Sequence, residues 1–339
     1  MPLASLGDDI SSFFSAVGKF FSSLADIHFG ALLIALIAFG IYLTIRARAA
    51  FHILRAAYPH ERIEFRRIWA AYIAAYGFNN IIPARGGDVI RLFLTKTSVP
   101  NSSYPAVAAA TFVEIIFDAT MGVFILTFAF TQGVFPKPPD FASLGAFDLS
   151  FFAGHPRFLL FVITVLGAAG LAGFALLSRR VRAFWARVRQ GLTILRDRRR
   201  YFREVWLVQL GAWCLRFTAF WFLLEAFNIG GSVKNVLLVL GVNAVAAAVP
   251  FTPGGAGVQQ AFLVKVFAGG TATSATVAAY SVGQQIAIGA FTLAVGFLLL
   301  ATVFRFRSFK DVIAAGKADR QGAGGPRATE APAAPRARA

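Results

Sequence analysis

Residues Asn79 to Arg91 read Asn-Asn-Ile-Ile-Pro-Ala-Arg-Gly-Gly-Asp-Val-Ile-Arg, a polar, Pro- and Gly-broken stretch inside otherwise apolar sequence. A second stretch echoes it: Asn243 to Gln260 reads Asn-Ala-Val-Ala-Ala-Ala-Val-Pro-Phe-Thr-Pro-Gly-Gly-Ala-Gly-Val-Gln-Gln. In both, an asparagine closes an apolar run and a proline is followed four residues later by glycine, Pro83 and Gly87 in one, Pro253 and Gly257 in the other. Proline lacks a backbone donor and glycine adds conformational freedom, so neither stretch continues a regular helix. Irregular backbone survives at membrane depth only where protein or a wet cavity satisfies its polar groups. Two such breaks therefore point to one shared internal site.

The surrounding composition supplies the membrane. The 339 residues are 57% hydrophobic and 14% charged, with a mean hydropathy of +0.66, against about 25% charged in a typical soluble domain. The chain reads as a multi-spanning membrane protein. Its formal charge of +17 comes from basic residues in the intervals between apolar runs, as topology requires, so nucleic acid is not an expected partner. The single Cys214 excludes an intrachain disulfide. No basic-then-apolar signal peptide with a cleavage site opens the chain, so insertion is expected to use the first internal span. The histidines His28, His52, His60 and His155 are scattered without metal-ligand spacing, and no P-loop lysine motif occurs. No catalytic residue, metal or cofactor is expected.

Taken in order, Ile10, Phe13, Phe14, Val17, Phe20, Phe21 and Leu24 recur at helical spacing. Residues 1–28 are read as an amphipathic segment on the membrane surface or on the protein's own rim. Phe29 to Ile45 is the first span, ending at Arg46 and Arg48. The arginine-rich interval that follows marks the cytoplasmic side and puts the N-terminus outside. Ile68 to Ile82 offers about 15 apolar residues before Pro83, short of the roughly 20 that cross a bilayer. A hairpin entering from the cytoplasm, turning at Pro83 to Gly87 and returning through Val89 to Leu94 fits better. Ala106 to Phe130 runs outward and Phe158 to Leu177 inward. Arg179 to Arg203 holds ten arginines against Asp197, the strongest cytoplasmic signal in the chain. Trp206 to Phe227 goes outward, Asn235 to Val249 is again too short and reads as a hairpin from outside, and Thr276 to Phe304 returns inward. Residues 305–339, rich in Ala, Pro, Gly and Arg, read as a disordered cytoplasmic tail.

The expected fold is all-α, a polytopic protein of the cytoplasmic membrane. Residues 29–304 form two inverted-topology repeats, about 29–130 and 204–304, each with a Pro/Gly-broken re-entrant helical hairpin. A span at 158–177 and a basic cytoplasmic segment at 179–203 join them. Transporters on this plan bind their substrate near the midplane, where the breaks meet.

Charged side chains at the bilayer centre cost about 2.5–3.5 kcal/mol each, so those tolerated there are functional candidates. They are Arg85, Asp88 and Arg91 in the first break, Glu114 and Asp118 in the next span, and Arg216 and Glu225 in the second half. Glu114 and Asp118 are four apart, on one helix face, where like charges repel unless cations or protons intervene. Arg85 and Arg91 are the candidate countercharges, either fixing the hairpin as an ion-pair network or holding a ligand between them. Pro253, Gly254, Gly255 and Gly257 form a turn, or allow close backbone approach and N–H contact with an anion. Gln259, Gln260 and Lys265 follow. Asn79, Asn80, Asn243, Gln284 and Gln285 read as hydrogen-bonding glue between helices or caps of broken ends.

Three of these motifs resemble the lysylphosphatidylglycerol synthase transmembrane region, a flippase-like integral membrane family. Pro83-Ala84-Arg85-Gly86-Gly87-Asp88 with Arg91 is similar to its Pro-x-Arg-x-Gly-acid motif, Glu114 with Asp118 to its Glu-Arg-x-x-Asp, and Pro253-Gly254-Gly255-Ala256-Gly257 to its Pro-Gly-Gly-x-Gly, over roughly residues 30 to 305. The sequence departs from the pattern at Asp88, where glutamate is usual, at Ile115, which replaces the arginine after Glu114, and at Gln260, which stands for a glutamate. The resemblance implies a protein that moves lipid between leaflets. In synthase members this region flips an aminoacylated phospholipid made by a fused soluble domain. No such domain accompanies the motifs here, so aminoacyl transfer is not implied. The expected ligand-binding set is Asn80, Arg85, Gly87, Asp88, Arg91, Glu114, Asp118, Asn243, Pro253, Gly254, Gly255, Gly257 and Gln260. The expected partners are membrane lipids with anionic or lipid-linked headgroups, together with a second copy of the chain or a lipid-biosynthesis enzyme. The alternatives are an integral membrane enzyme acting on lipid-linked substrates and a non-transporting subunit of an envelope assembly.

Overall fold

The computed structural model describes residues 26–82, 86–132, 183–247, 258–267 and 273–306, and every regular element among them is helical. The amphipathic segment before residue 26, the span expected at Phe158 to Leu177 and the tail from residue 307 lie outside the described residues. So do the centres of both breaks, 83–85 and 248–257.

Local sequence accounts for most boundaries. Helix α1 spans Phe29–Ala57 and stops at Tyr58-Pro59, because a residue before proline is pushed out of the helical region. Helices α2 (Phe65–Asn79) and α3 (Gly86–Ser98) flank the first break. Helix α4 (Tyr104–Thr131) tolerates Pro105 in its first turn, where backbone N–H groups lack intrahelical partners anyway. A short helix α5 at 183–191 leads through a 3-10 turn, Thr193–Arg196, into α6 (Arg198–Ala226). The Asp197 carboxylate caps α6 by accepting from the Arg200 N–H at 3.0 Å, and a π turn at Phe202–Trp206 interrupts it. Helices α7 (Val233–Ala247) and α8 (Val258–Phe267) flank the second break. Helix α9 (Ser274–Phe304), capped by the Thr273 hydroxyl, closes in a π turn at Leu300–Phe304. Among the described residues four helices, α1, α4, α6 and α9, are long and apolar enough to cross a membrane.

The first span is longer than its sequence reading. It does not end at Ile45 but continues for three more turns, and Arg46 lies inside it, 6% exposed. Counting every arginine as solvated breaks the helix at Arg46. Its charge is instead balanced within the protein, so only Tyr58-Pro59 ends the helix.

Helices α1 and α6 form the most extensive pair and run antiparallel. The His28 N–H donates to the Ala226 carbonyl at 3.0 Å at one end, while Gln190 Nε2 donates to the Ala57 carbonyl at 3.2 Å at the other. Buried alanines at 35, 38, 47, 49 and 50 on α1 and at 212, 219 and 226 on α6 allow the close backbone approach that drives helix association in lipid. Helices α2 and α3 both have their outer ends near the α1 C-terminus. Phe65 packs edge-on to Phe51 at 5.7 Å, Asn101 Nδ2 donates to Glu61 at 3.0 Å, and the Ser103 N–H donates to the Tyr58 hydroxyl at 3.3 Å. From that end α2 climbs along α9, where a Cβ on Gly77 would meet the Thr292 carbonyl oxygen at 2.7 Å. It reaches its C-cap at Asn80, whose Nδ2 donates to Thr292 Oγ1 at 3.3 Å, partway along α9. Helix α7 packs on α4 and α6, and α8 on α7 and α9. Leu33, Ile34, Ile37 and Ile41 of α1 and Phe112, Ile116, Val123 and Phe124 of α4 are exposed, as lipid-facing positions must be.

Gly87 owes its identity to this packing, since a Cβ there would lie 2.1 Å from the Ala75 carbonyl oxygen. Gly87→Ala is expected to lower stability by about 1–3 kcal/mol in thermal unfolding of detergent-solubilised protein. Gly122→Ala, with nothing within 4 Å of the added methyl, is expected to cost nothing; equal effects of the two would refute the close approach of α3 to α2.

Candidate functional site

Midway along α4, Glu114 and Asp118 project from one face into the bundle, and side chains from four other helices meet them. Arg46 of α1 makes a two-pronged ion pair with Asp118, Nη1 to Oδ1 at 2.5 Å and Nη2 to Oδ2 at 2.7 Å. Its Nη2 also lies 3.8 Å from Glu114 Oε2. Arg91 of α3 pairs with Glu114 Oε1. Tyr72 of α2 serves both cations, its hydroxyl accepting from Arg46 Nε at 2.9 Å and its ring facing the Arg91 guanidinium at 4.2 Å. Gln209 and Trp213 of α6 complete the cluster. Gln209 Oε1 accepts from Arg46 at 3.3 Å, and the Trp213 indole N–H donates to Asp118 at 3.4 Å. Glu114 is 3% exposed, yet it is shared between two guanidinium groups, so neither carboxylate is left as a bare charge.

The cluster forms one wall of a cavity of about 530 Å3 lined from α1, α2, α3, α4, α6 and α7. Its lining includes Tyr42, Asn79, Asp88, Ile115, Gly122, Arg216 and Asn243 besides the ion-paired residues. Asn79 Nδ2 donates to Asp88 Oδ1 at 3.0 Å, tying α2 to α3 at the mouth of the first break. The Asn79 Oδ1, Asn243 Oδ1 and Glu114 Oε2 atoms are buried without a hydrogen-bond partner among the described residues, an arrangement that disfavours a purely apolar occupant. Among the described residues no three His, Cys, Asp or Glu side chains come together to hold a metal ion.

Of the residues singled out in the sequence, Asn79, Asp88, Arg91, Glu114, Asp118, Arg216 and Asn243 therefore share one cavity. Asn80 does not line it. Its amide caps α2 at the Tyr76 carbonyl and reaches α9, the helix-glue role. Gly87 acts through the α2–α3 contact. Gln260 donates to Gln285 at 2.9 Å, with Gln259 accepting from the same Gln285 at 2.5 Å; these residues join α8 to α9 away from the cavity lining. Glu225 accepts from the Gly231 N–H at 2.8 Å and braces the loop after α6. Arg85, Pro253, Gly254, Gly255 and Gly257 lie outside the described residues.

The sequence reading missed Arg46, Tyr72 and Trp213. It assigned the countercharge of the carboxylate pair to Arg85 and Arg91. Arg91 does serve Glu114, but the partner of Asp118 is Arg46, which the sequence reading places at the cytoplasmic end of the first span. The signal was available: Ala47, Ala49, Ala50, Phe51, Ile53 and Leu54 continue the helical apolar pattern beyond Arg46, so that arginine is flanked by buried positions on both sides.

Removing one member of such a cluster leaves an uncompensated buried charge, at a cost of about 3–5 kcal/mol. Arg46→Gln is expected to lower the yield and unfolding temperature of the purified protein severely, and Arg46→Gln with Asp118→Asn to recover a large part of the loss. Strictly additive losses in the double variant would refute the pairing.

No curated protein and no solved structure matches the chain at a significant level. The family model described as the lysylphosphatidylglycerol synthase TM region, by contrast, matches residues 11–314, a range that holds every helix of the bundle and the whole cavity. The chain is a membrane protein that belongs to the lysylphosphatidylglycerol synthase transmembrane-region family.

Proposed function

We propose that the protein is a lipid transporter of the flippase type, binding the headgroup of a phospholipid or lipid-linked molecule in the central cavity and moving it between leaflets. The observation that carries this reading is a cavity of about 530 Å3, with ion pairs and orphaned amide oxygens in its wall, set midway along helices long enough to span a bilayer. A cavity of that size takes a headgroup rather than a whole lipid, leaving the acyl chains to the surrounding membrane. Arg85, Asp88, Arg91, Glu114, Asp118 and Asn243 are the first candidates for contact with it. The Pro253 to Gly257 turn and Gln260 are candidates from the opposite half.

The packing pattern of the described helices supports an inverted-repeat plan. Exchanging α1 with α6, α2 with α7, α3 with α8 and α4 with α9 maps the principal packing relations onto one another: α2 on α9 becomes α7 on α4, α3 on α4 becomes α8 on α9, and α1 on α2 becomes α6 on α7. Helices α1 and α6 are antiparallel, as an inverted second half would require. On this plan α2–α3 and α7–α8 are re-entrant hairpins entering from opposite sides, with the α1 C-terminus and the arginine-rich segment in the cytoplasm.

Two measurements test the proposal. In a Cys214→Ala background, cysteines at His60 and Arg198 are expected to react only with membrane-permeant thiol reagents in intact cells, and one at Lys234 with impermeant reagents; labelling of all three from one side would overturn the topology. In proteoliposomes, the wild type is expected to accelerate transbilayer movement of fluorescent phospholipids. Gly122→Trp, which fills the cavity from a position with open space around it, is expected to abolish that acceleration. Equal rates with the wild type and with Gly122→Trp would refute transport through this cavity, and lipid turnover by the purified protein would favour an enzyme.

A further inference from the structure

We propose that Arg216 is the anion-reading residue of the cavity, its guanidinium taking the phosphodiester of the bound lipid. The inference rests on the lipid-binding reading above and adds which group of the lipid is recognised and by what.

Among the described residues three cations line the cavity, and they differ in what they are already doing. Arg46 and Arg91 are engaged with Asp118 and Glu114. Arg216, one helical turn along α6 from Trp213, makes no ion pair and no side-chain hydrogen bond with any described residue. It is instead held by ring faces: Trp213 at 4.7 Å, Phe220 at 5.8 Å and Tyr42 at 5.9 Å from the guanidinium carbon to the ring centroid. Both prongs of Asp118, which also accepts from the Trp213 indole N–H, are taken by Arg46. An aromatic setting of this kind screens the flat faces of a guanidinium and restricts its rotation while leaving its in-plane N–H donors free.

A guanidinium at mid-depth of a membrane protein with no carboxylate in ion-pair contact among the described residues is costly unless an anion or water meets it. Arg216 is half-buried and lines the cavity, so a cavity occupant is the group positioned to meet it. The in-plane fork matches two oxygens of a phosphodiester. Asn243 also lines the cavity, and its buried Oδ1 has no donor among the described residues. The ligand chemistry that satisfies both is a phosphodiester at Arg216 carrying a headgroup with hydroxyl or amino donors towards Asn243. A membrane phospholipid and a soluble phosphate share the first feature, and the test separates them.

Binding to the purified full-length chain is measured calorimetrically with three probes: dihexanoyl-phosphatidylglycerol, dihexanoylglycerol and inorganic phosphate. The wild type is expected to bind the phospholipid at least tenfold more tightly than dihexanoylglycerol. Arg216→Gln should erase that gap, and Arg216→Lys, which keeps the charge without the fork, should retain part of it. Inorganic phosphate is expected to compete weakly. An unchanged gap in Arg216→Gln overturns the proposal; if that variant is not recovered folded, an unchanged gap in Arg216→Lys does so. Inorganic phosphate displacing the lipid at equal concentration overturns the lipid source in favour of a soluble anion. Binding of neither lipid by the wild type refutes the lipid-binding reading itself, and the inference with it.

Discussion

Two carboxylates one turn apart on a membrane-spanning helix cannot both remain charged without cations at their side. That constraint organises the bundle. Glu114 and Asp118 draw Arg46 from α1 and Arg91 from α3, and these cations draw the Tyr72 hydroxyl and ring from α2 and the Gln209 amide from α6. Five helices meet at one point because each carries at least one member of a single charge-balanced cluster. Continuity of α1 through Arg46 is a consequence: a helix ended there would leave Asp118 without its partner.

The cluster serves arrangement more than stability. In lipid, apolar helices gain little from burying apolar surface against one another, and a buried ion pair is often no more stabilising than a well-packed apolar substitute. Directional groups do something that alanine and leucine cannot, which is to fix one helix relative to another along its axis. Arg91 pins α3 against α4, and Tyr72 pins α2 against α1, so the pair of short helices beside the first break is held in register with the long ones. Gly87 on Ala75 and Gly77 on Thr292 then bring the backbones into contact, leaving no room for side-chain slack.

Much of this was legible in the sequence. The apolar runs, the two breaks and the short lengths of Phe65–Asn79 and Val233–Ala247 follow from Pro, Gly and the count of residues needed to cross a bilayer. The carboxylate pair followed from spacing alone. What was not legible was partnership. Arg46 and Asp118 are 72 residues apart in the chain, and a positive residue at the edge of an apolar run looks the same whether it faces cytoplasm or a buried acid. Trp213 was hidden for a related reason: an aromatic in a membrane helix usually contacts lipid or core, and only the positions of Asp118 and Arg216 on either side of its indole reveal a bridging role. The departure at Ile115 also becomes intelligible. With Arg46 supplied from α1 to both carboxylates, the position after Glu114 need not be basic, and Ile115 is half-exposed at the cavity lining.

The division of labour among the arginines bears on how an anionic headgroup would be handled. An anion approaching Arg46 or Arg91 must displace a carboxylate already in contact, and the displaced carboxylate would then stand unpaired in a low-dielectric interior, at a cost of several kcal/mol. An anion approaching Arg216 displaces no carboxylate, only the solvent at the edge of the guanidinium. Attraction falls with distance while the displacement cost is local, so the first stable stop is the cation with the least to give up. Such an arrangement keeps the ion pairs intact while the ligand is held, and the helices they align remain in register through binding. Release is also easier from a single guanidinium on aromatic faces than from a cluster that would have to be reassembled, and a transporter needs a site that binds firmly enough to select and loosely enough to let go.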